Sequence, residues 1–224
     1  MFRVLTASVC LVAFPLIAAE PPPDAKPLLT KLGKVIFSDD FGPGPINPQS
    51  RMGNWEVKDS ALVGSEKPED KHGAVLRRPG LDFHNAAVQV SFRLDGAKGI
   101  GLGLINNKGH VAAVRVTAMS LRLSRSLEGG DKSEVLDTLP LKLRVGVWYT
   151  LLLETEGKDI VASIDGEQAV FGVHEKIDVD KSCVRLTVGG ESAAFKNLRV
   201  RKAMPSDTWE ATKAKLLEAR KAAK

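Results

Sequence analysis

The stretch 148–174 constrains the fold more than any other part of the chain: Trp-Tyr-Thr-Leu-Leu-Leu-Glu-Thr-Glu-Gly-Lys-Asp-Ile-Val-Ala-Ser-Ile-Asp-Gly-Glu-Gln-Ala-Val-Phe-Gly-Val-His. Three short apolar runs are separated by Gly157-Lys158 and Asp165-Gly166. Asp and Gly both tolerate the positive φ that tight turns demand, so Asp-Gly between two extended runs predicts a β-hairpin. Hairpins repeated in this way build all-β sandwiches.

The same grammar continues on both sides. Val88, Val90, Phe92 and Leu94 alternate with Gln89, Ser91 and Arg93; Leu141, Leu143 and Val145 with Lys142 and Arg144; Val184, Leu186 and Val188 with Arg185 and Thr187; Leu198 and Val200 with Asn197, Arg199 and Arg201. Each run has one apolar and one polar face, as a half-buried antiparallel strand requires. Turn residues fall between them at Pro79-Gly80, Asp95-Gly96, Asn106 to Gly109, Glu128 to Asp131 and Gly189-Gly190. About a dozen short strands at this spacing predict an all-β, two-sheet antiparallel sandwich over residues 34–202. Gly99-Ile-Gly-Leu-Gly-Leu-Ile105 places glycine at alternate positions. One face of that strand is bare backbone, which suits either close packing by a neighbour or a floor beneath a ligand.

The two ends read differently. Arg3, the apolar run from Val4 to Ile17 and the small residues Ala18-Ala19 predict a secretory signal over 1–19, cleaved after Ala19. That run is too short to remain as a membrane span, so the expectation is an exported protein, periplasmic, envelope-bound or extracellular, with no integral span after cleavage. Residues 20–33, with three successive prolines, predict an extended linker. Cys183 is the one cysteine left in such a mature chain; it has no internal partner and reads as a buried, inert thiol. After Arg201, residues 203–224 predict a charged helix. Asp207 and Glu210 are spaced as a capping box, and Trp209, Leu216 and Leu217 form a narrow apolar stripe. Such a helix either docks its first turn on the sandwich and frays beyond it, or binds a partner. Lys and Arg number 32 against 27 acidic residues, but the signs are interleaved and aromatics are only 5 %. Neither a basic stripe nor a stacking platform is present, which argues against nucleic acid as a partner.

Several landmarks occur in a telling order: Asp39-Asp40-Phe41; Gly53-Asn-Trp-Glu-Val-Lys-Asp-Ser-Ala-Leu-Val-Gly64; Phe83 to Phe92; His110-Val-Ala-Ala-Val114; Trp148-Tyr-Thr-Leu151; Ile164-Asp-Gly166; and Phe195-Lys-Asn-Leu-Arg-Val200. Over about residues 35–202 the chain resembles the 3-keto-disaccharide hydrolase domain family. The resemblance implies a concanavalin A-like (laminin G-like) jelly roll that handles carbohydrate outside the cytoplasm, some members being similar to enzymes that cleave glycosides oxidised at C3. A ketone at C3 acidifies the C2 proton, so a base can remove it and the glycosidic oxygen departs by elimination. A cation or metal would stabilise the enolate. The family usually has glycine where Ser60 stands, which implies a different turn here. Trp55 and Val57 are expected in the core, Trp148 at one end of it, and the strand carrying Phe195 and Leu198 beside the first strand.

The residues that could supply such chemistry are few. The loop Glu66-Lys-Pro-Glu-Asp-Lys-His-Gly73 is the densest cluster of candidate bases and ligands, and Glu66 and His72 stand out in it. His110, after a turn, is the third candidate catalytic residue. Arg77 and Arg115 are the candidate substrate-binding cations. Each also reads as ordinary surface: a solvated loop, a turn-flanking histidine, the wet face of a strand. The four histidines, at 72, 84, 110 and 174, show no metal-ligand spacing, so a divalent metal is compatible with the chemistry but has no ligand motif. Glu154 and Glu156 lie roughly 6–7 Å apart on one strand face, a spacing that suits glycoside hydrolysis, but next to Gly157 they read as solvated strand-end charges. The alternative to an enzyme is a noncatalytic glycan- or protein-binding module of the cell envelope.

Overall fold

In the computed structural model, which describes residues 25–42, 44, 46, 51–127 and 132–222, both hairpins of the 148–174 stretch form. β11 (Trp148–Glu156) turns at Gly157-Lys158 into β12 (Asp159–Ile164), which turns at Asp165-Gly166-Glu167 into β13 (Gln168–Val173). Gly157, Asp165 and Gly166 have φ of 54°, 52° and 71°, the left-handed values that Gly and Asp adopt at least cost. The Thr150 N–H donates to Asp165 Oδ1 at 2.7 Å, tying this turn to the neighbouring strand.

Among the described residues, fifteen strands form two antiparallel sheets of a jelly-roll sandwich. The eight-stranded sheet runs β13, β12, β11, β6 (Ala86–Leu94), β15 (Ala193–Pro205), β4 (Ala61–Ser65) and β3 (Asn54–Lys58), with β1 (Thr30–Asp39) also paired to β15. The seven-stranded sheet runs β10 (Ser133–Pro140), β9 (Ser120–Ser126), β8 (Gly109–Val116), β7 (Ala97–Asn106), β14 (Lys181–Gly190), β5 (Ala74–Phe83) and β2 (Arg51–Met52). The inward faces meet in one core. Val88, Val90, Phe92 and Leu94 of β6, Ile100, Leu102 and Leu104 of β7, and Val184, Leu186 and Val188 of β14 are each at most 2 % exposed. Burying one such side chain stabilises the fold by about 1.5–3 kcal/mol. Trp55 (6 % exposed) packs against Phe195 at 6.1 Å. The last strand pairs with the first from Thr30↔Pro205 to Asp39↔Leu198, as expected. The turn at Asp59-Ser60 places both residues in the left-handed region, at φ 51° and 53°.

The structure differs from the sequence expectations in several places. β1 begins at Thr30, and the strap formed by residues 25–33 is built into the fold rather than spacing it. Ala25 and Leu29 are buried, and Ala25 N donates to Gln89 Oε1 at 3.0 Å. Glu154 is not a solvated strand-end charge but is fully buried. Its Oε1 accepts the Leu29 and Thr30 N–H groups and the Thr30 hydroxyl at 3.1, 2.9 and 2.9 Å, and its Oε2 accepts the Leu28 N–H at 3.0 Å. Gln89 and Ser91, the polar face of β6, are buried too.

The C-terminal helix α1 (Trp209–Ala222) docks along its length instead of fraying. Trp209 clusters with Leu29, Val161 and Ala169 and meets Phe171 edge-on at 5.9 Å. In its last turn Arg220 Nη2 donates to Asp137 Oδ2 at 2.8 Å and to Ala169 O at 2.6 Å, with its guanidinium 4.8 Å from the Phe171 ring. Asp207 pairs with Lys31 at 2.5 Å rather than closing a capping box. Trp148 is half-buried, outside the core, between the cations of Arg93 and Lys196 at 5.0 and 5.1 Å. Leu141–Val145 is extended but not a strand. Leu141 N and Leu143 N donate to the Met119 and Ala118 carbonyls of the β8–β9 turn, and Val145 is exposed. The expected signal at 1–19, the first residues of the linker and the turn at 128–131 lie outside the described residues. Among those described, no helix is long and apolar enough to cross a membrane.

Candidate functional site

The outward face of the seven-stranded sheet carries the candidate residues. Register places Arg122, Arg115, Gly101, Thr187 and Val75 on one rung across β9, β8, β7, β14 and β5, and Ser124, Ala113, Gly103, Arg185 and Arg77 on another. Intervening residues such as Leu102, Val114 and Leu186 point to the core, so alternation turns these two rungs outward. The glycines of β7 leave a trough that neighbours lean into. A Cβ at Gly103 would sit 3.3 Å from Arg185 Nε, and one at Gly101 would collide with Thr187 Oγ1. The glycine stripe therefore makes room for neighbouring side chains, the packing reading, and the bare backbone that it leaves floors a groove.

That groove has two adjoining hollows. The first, about 400 Å³, is lined by Glu66, His72, Arg115, Ser124, Arg185 and Thr187 over Gly99, Gly101 and Gly189. The second, about 300 Å³, is lined by Arg51, Met52, His72, Val75, Arg77, His110 and Arg185. His72 and Arg185 belong to both. All five residues singled out in the sequence, Glu66, His72, Arg77, His110 and Arg115, thus border one continuous depression, although they come from the β4–β5 loop, β5 and β8. Of two larger hollows, one of about 740 Å³ along Arg51–Glu56 contains none of the five, and one of about 700 Å³ beside Arg125 and His174 shares only His110.

The β4–β5 loop is held by its own turn. Pro68–Asp70 forms one 3-10 turn, Lys71 takes a left-handed φ of 48°, and Lys67 bridges to His72. Gly53 N donates to Asp70 Oδ2 at 2.8 Å, and Glu66 N donates to Gly190 O at 3.1 Å. Asp70 therefore anchors the loop, while Glu66 and His72 stay exposed. Glu66 Oε1 and Arg115 Nη2 approach the Cβ position of Gly189 to 3.7 and 3.8 Å, so an acid and a cation flank the same patch of bare backbone.

The two histidines are not equivalent. His72 Nδ1 lies 2.7 Å from the Gly73 carbonyl. A carbonyl only accepts, so in the neutral ring Nδ1 carries the proton and Nε2 keeps a free lone pair. His110 Nε2 instead accepts from Arg185 Nη1 at 3.2 Å. Burial, then the charges of Arg185 and Arg77, push His110 below its ordinary pKa, so its lone pair is committed to orienting Arg185. Arg185 is itself pushed down by burial and by Arg77. Burial pushes the Cys183 thiol up, which keeps it protonated. Arg185, Thr187 and Ser124 were not singled out in the sequence because each looks like the wet half of a strand. The signal that points to them is register with the alternate glycines of β7. Among the described residues, no group of three or more His, Cys, Asp and Glu side chains is placed to hold a metal ion.

The chain matches no protein-family model and no curated protein. It is similar in fold to many solved structures. One is the carbohydrate-binding module CBM66 from Bacillus subtilis, at 14 % identity and TM-score 0.57, covering 67 % of this chain and 92 % of that one. Another is a non-specific endo-β-1,3(4)-glucanase of family GH16, at 10 % identity and TM-score 0.56, covering 80 % and 97 %. A third is the Crh5 transglycosylase, at 12 % identity and TM-score 0.57, covering 81 % and 90 %. At this identity the likeness shows the concanavalin A-like jelly-roll fold.

Proposed function

We propose that this protein is an exported carbohydrate-active domain whose ligand lies along the groove on the outward face of the seven-stranded sheet. The observation that carries the reading is the convergence of Glu66, His72, Arg77, His110, Arg115 and Arg185 over a glycine floor. A flat floor flanked by fixed donors and acceptors suits a chain of hydroxylated rings. Jelly rolls of carbohydrate-binding modules and glycoside hydrolases among the structural neighbours support it. Export rests on the signal read at 1–19. Titration calorimetry of the purified domain against a glycan panel tests the reading. Binding is expected, and Gly101→Val, which fills the trough, is expected to abolish it while leaving the unfolding transition cooperative. Equal binding by the variant would place the ligand elsewhere.

The free Nε2 of His72 favours a second, catalytic reading, the elimination of a 3-keto-glycoside. His72 Nε2 takes the C2 proton, the electron pair forms the enolate at C3, and Arg115 and Arg185 balance its charge. The enolate then collapses to expel the glycosidic oxygen from C1, which takes a proton from water, and His72 returns its proton to solvent. Incubation with 3-keto-disaccharides, with and without a divalent metal, separates the readings. Turnover lost in His72→Gln supports catalysis, whereas binding without turnover supports a binding module.

A further inference from the structure

Four arginines elsewhere in this protein are matched with acids. Arg78 meets Asp39 at 2.7 Å, Arg93 meets Asp95 at 2.8 Å, Arg125 meets Glu134 at 2.6 Å, and Arg220 meets Asp137 at 2.8 Å. The arginines of the groove are not so matched. Among the described residues, Arg77, Arg115 and Arg185 form no ion pair, and no acid lines the second hollow. Arg77 and Arg185 are direct partners across β5 and β14, so two like charges project side by side from one rung. Arg185 is oriented by its bond to His110, and its Nε is buried without a hydrogen-bond partner. Adjacent like charges and an unused buried N–H both cost stability. An anion seated between the two guanidinium groups would relieve both.

We propose that the second hollow is an anion subsite, and that the carbohydrate this groove takes is acidic. A carboxylate or sulfate of one sugar residue is held by Arg77 and Arg185, while the adjoining ring lies over Gly101 and Gly103. The proposal rests on the carbohydrate reading above and names its substrate class. The guanidinium fork matches a carboxylate or sulfate with two parallel hydrogen bonds. No Phe, Tyr or Trp lines either hollow, so stacking of a neutral ring or of a nucleobase has no broad platform here, and charge carries recognition. Glu66, at the far end of the first hollow beside Gly189, repels a second anion there and confines the charge to the Arg77–Arg185 end.

The test is titration of the folded protein with a hexauronate, a sulfated hexasaccharide, a neutral hexaglucoside and a single-stranded oligonucleotide, each in low and moderate salt. An acidic glycan is expected to bind at least roughly tenfold more tightly than the neutral one, and more weakly as salt rises. The tighter of the two acidic arms identifies the anion. Arg185→Gln is expected to weaken that binding roughly ten- to hundredfold. Arg77→Gln, at an exposed position where folding is not at risk, is expected to do the same. Lys58→Gln, which removes one charge from the other sheet, is expected to change nothing. Neutral glycan bound as tightly as acidic, or no loss in either arginine variant, overturns the anion subsite and leaves the carbohydrate groove standing. Preference for the oligonucleotide overturns the acidic-carbohydrate assignment. Binding of no glycan at all overturns both readings.

Discussion

Glu154→Ala should detach the strap from the sandwich. The carboxylate is fully buried and accepts four hydrogen bonds from the strap, at 2.9 to 3.1 Å. Three of the donors are backbone N–H groups, and Leu29 and Thr30 are themselves 2 % and 3 % exposed. Alanine leaves these donors facing a cavity, at about 1–3 kcal/mol for each group kept buried and unpaired. The strap can limit that penalty by lifting off, which sacrifices the burial of Ala25 and Leu29 instead. The expected loss is therefore about 3–5 kcal/mol rather than the full sum. Glu154→Gln is a sharper probe. Its amide oxygen can replace Oε1 and keep three bonds, but its NH₂ then opposes the Leu28 N–H, for a loss of about 1–3 kcal/mol. Urea unfolding gives the magnitudes, and trypsin cleavage after Lys31, which Leu32 follows, reports the strap directly. A loss below about 1 kcal/mol for the alanine variant, with Lys31 still protected, would refute the reasoning. Burial raises the Glu154 pKa above 4.5 against the opposing pull of its donors. A carboxylate raised on folding contributes most stability below its unfolded value and loses it as pH rises through the folded value. Acidification toward pH 4.5 should therefore tighten Glu154's own contribution, and Glu154→Gln should erase that dependence.

Hydrogen bonds to Asp180 and Asp178, at 2.7 Å each, raise the His84 pKa above 6.5. Its stabilising contribution is complete below pH 6.5 and fades as pH rises through the raised value, so His84→Asn should flatten that part of the stability–pH curve measured by urea unfolding. Burial lowers Lys181 to about 8. The unfolded chain therefore binds the extra proton between about 8 and 10.5, and stability from this group should rise with pH across that window, a rise that Lys181→Met removes in the same assay. Arg220→Ala breaks two bonds and a cation–π contact at the end of α1. It should cost about 1–2 kcal/mol and raise amide exchange in the last turns of the helix. Ser60→Gly, at a φ of 53°, should raise the melting temperature, because glycine relieves the left-handed strain by about 0.5–1 kcal/mol.

The sandwich was legible because its strands alternate one apolar and one polar residue, and because Asp-Gly and Gly-rich turns interrupt them. Glu154 and Gln89 stand at outward, polar positions, and only the folded chain lays its own strap over them. Leu141 to Val145 alternates like a strand but has no ladder partner and follows Pro140, so it ends as an extended hook on the β8–β9 turn. In the candidate site, Glu66 and His72 were legible as a loop cluster, and Arg77 and Arg115 as outward cations. Arg185 was not, because a lone arginine on a strand's wet face carries no signal until register sets it beside Gly103 and Arg77. The unequal roles of His72 and His110 were likewise invisible, since they depend on which ring nitrogen the folded backbone or Arg185 occupies.

The groove itself is tested most directly by amide chemical-shift mapping of the labelled domain titrated with the tightest-binding glycan. The account predicts saturable shifts at Gly99, Gly101, Gly103, Arg115, Arg185 and Thr187, with the β4–β5 loop responding and the eight-stranded sheet silent. Shifts confined to Gly53–Glu56 or to the strap and α1 would contradict it.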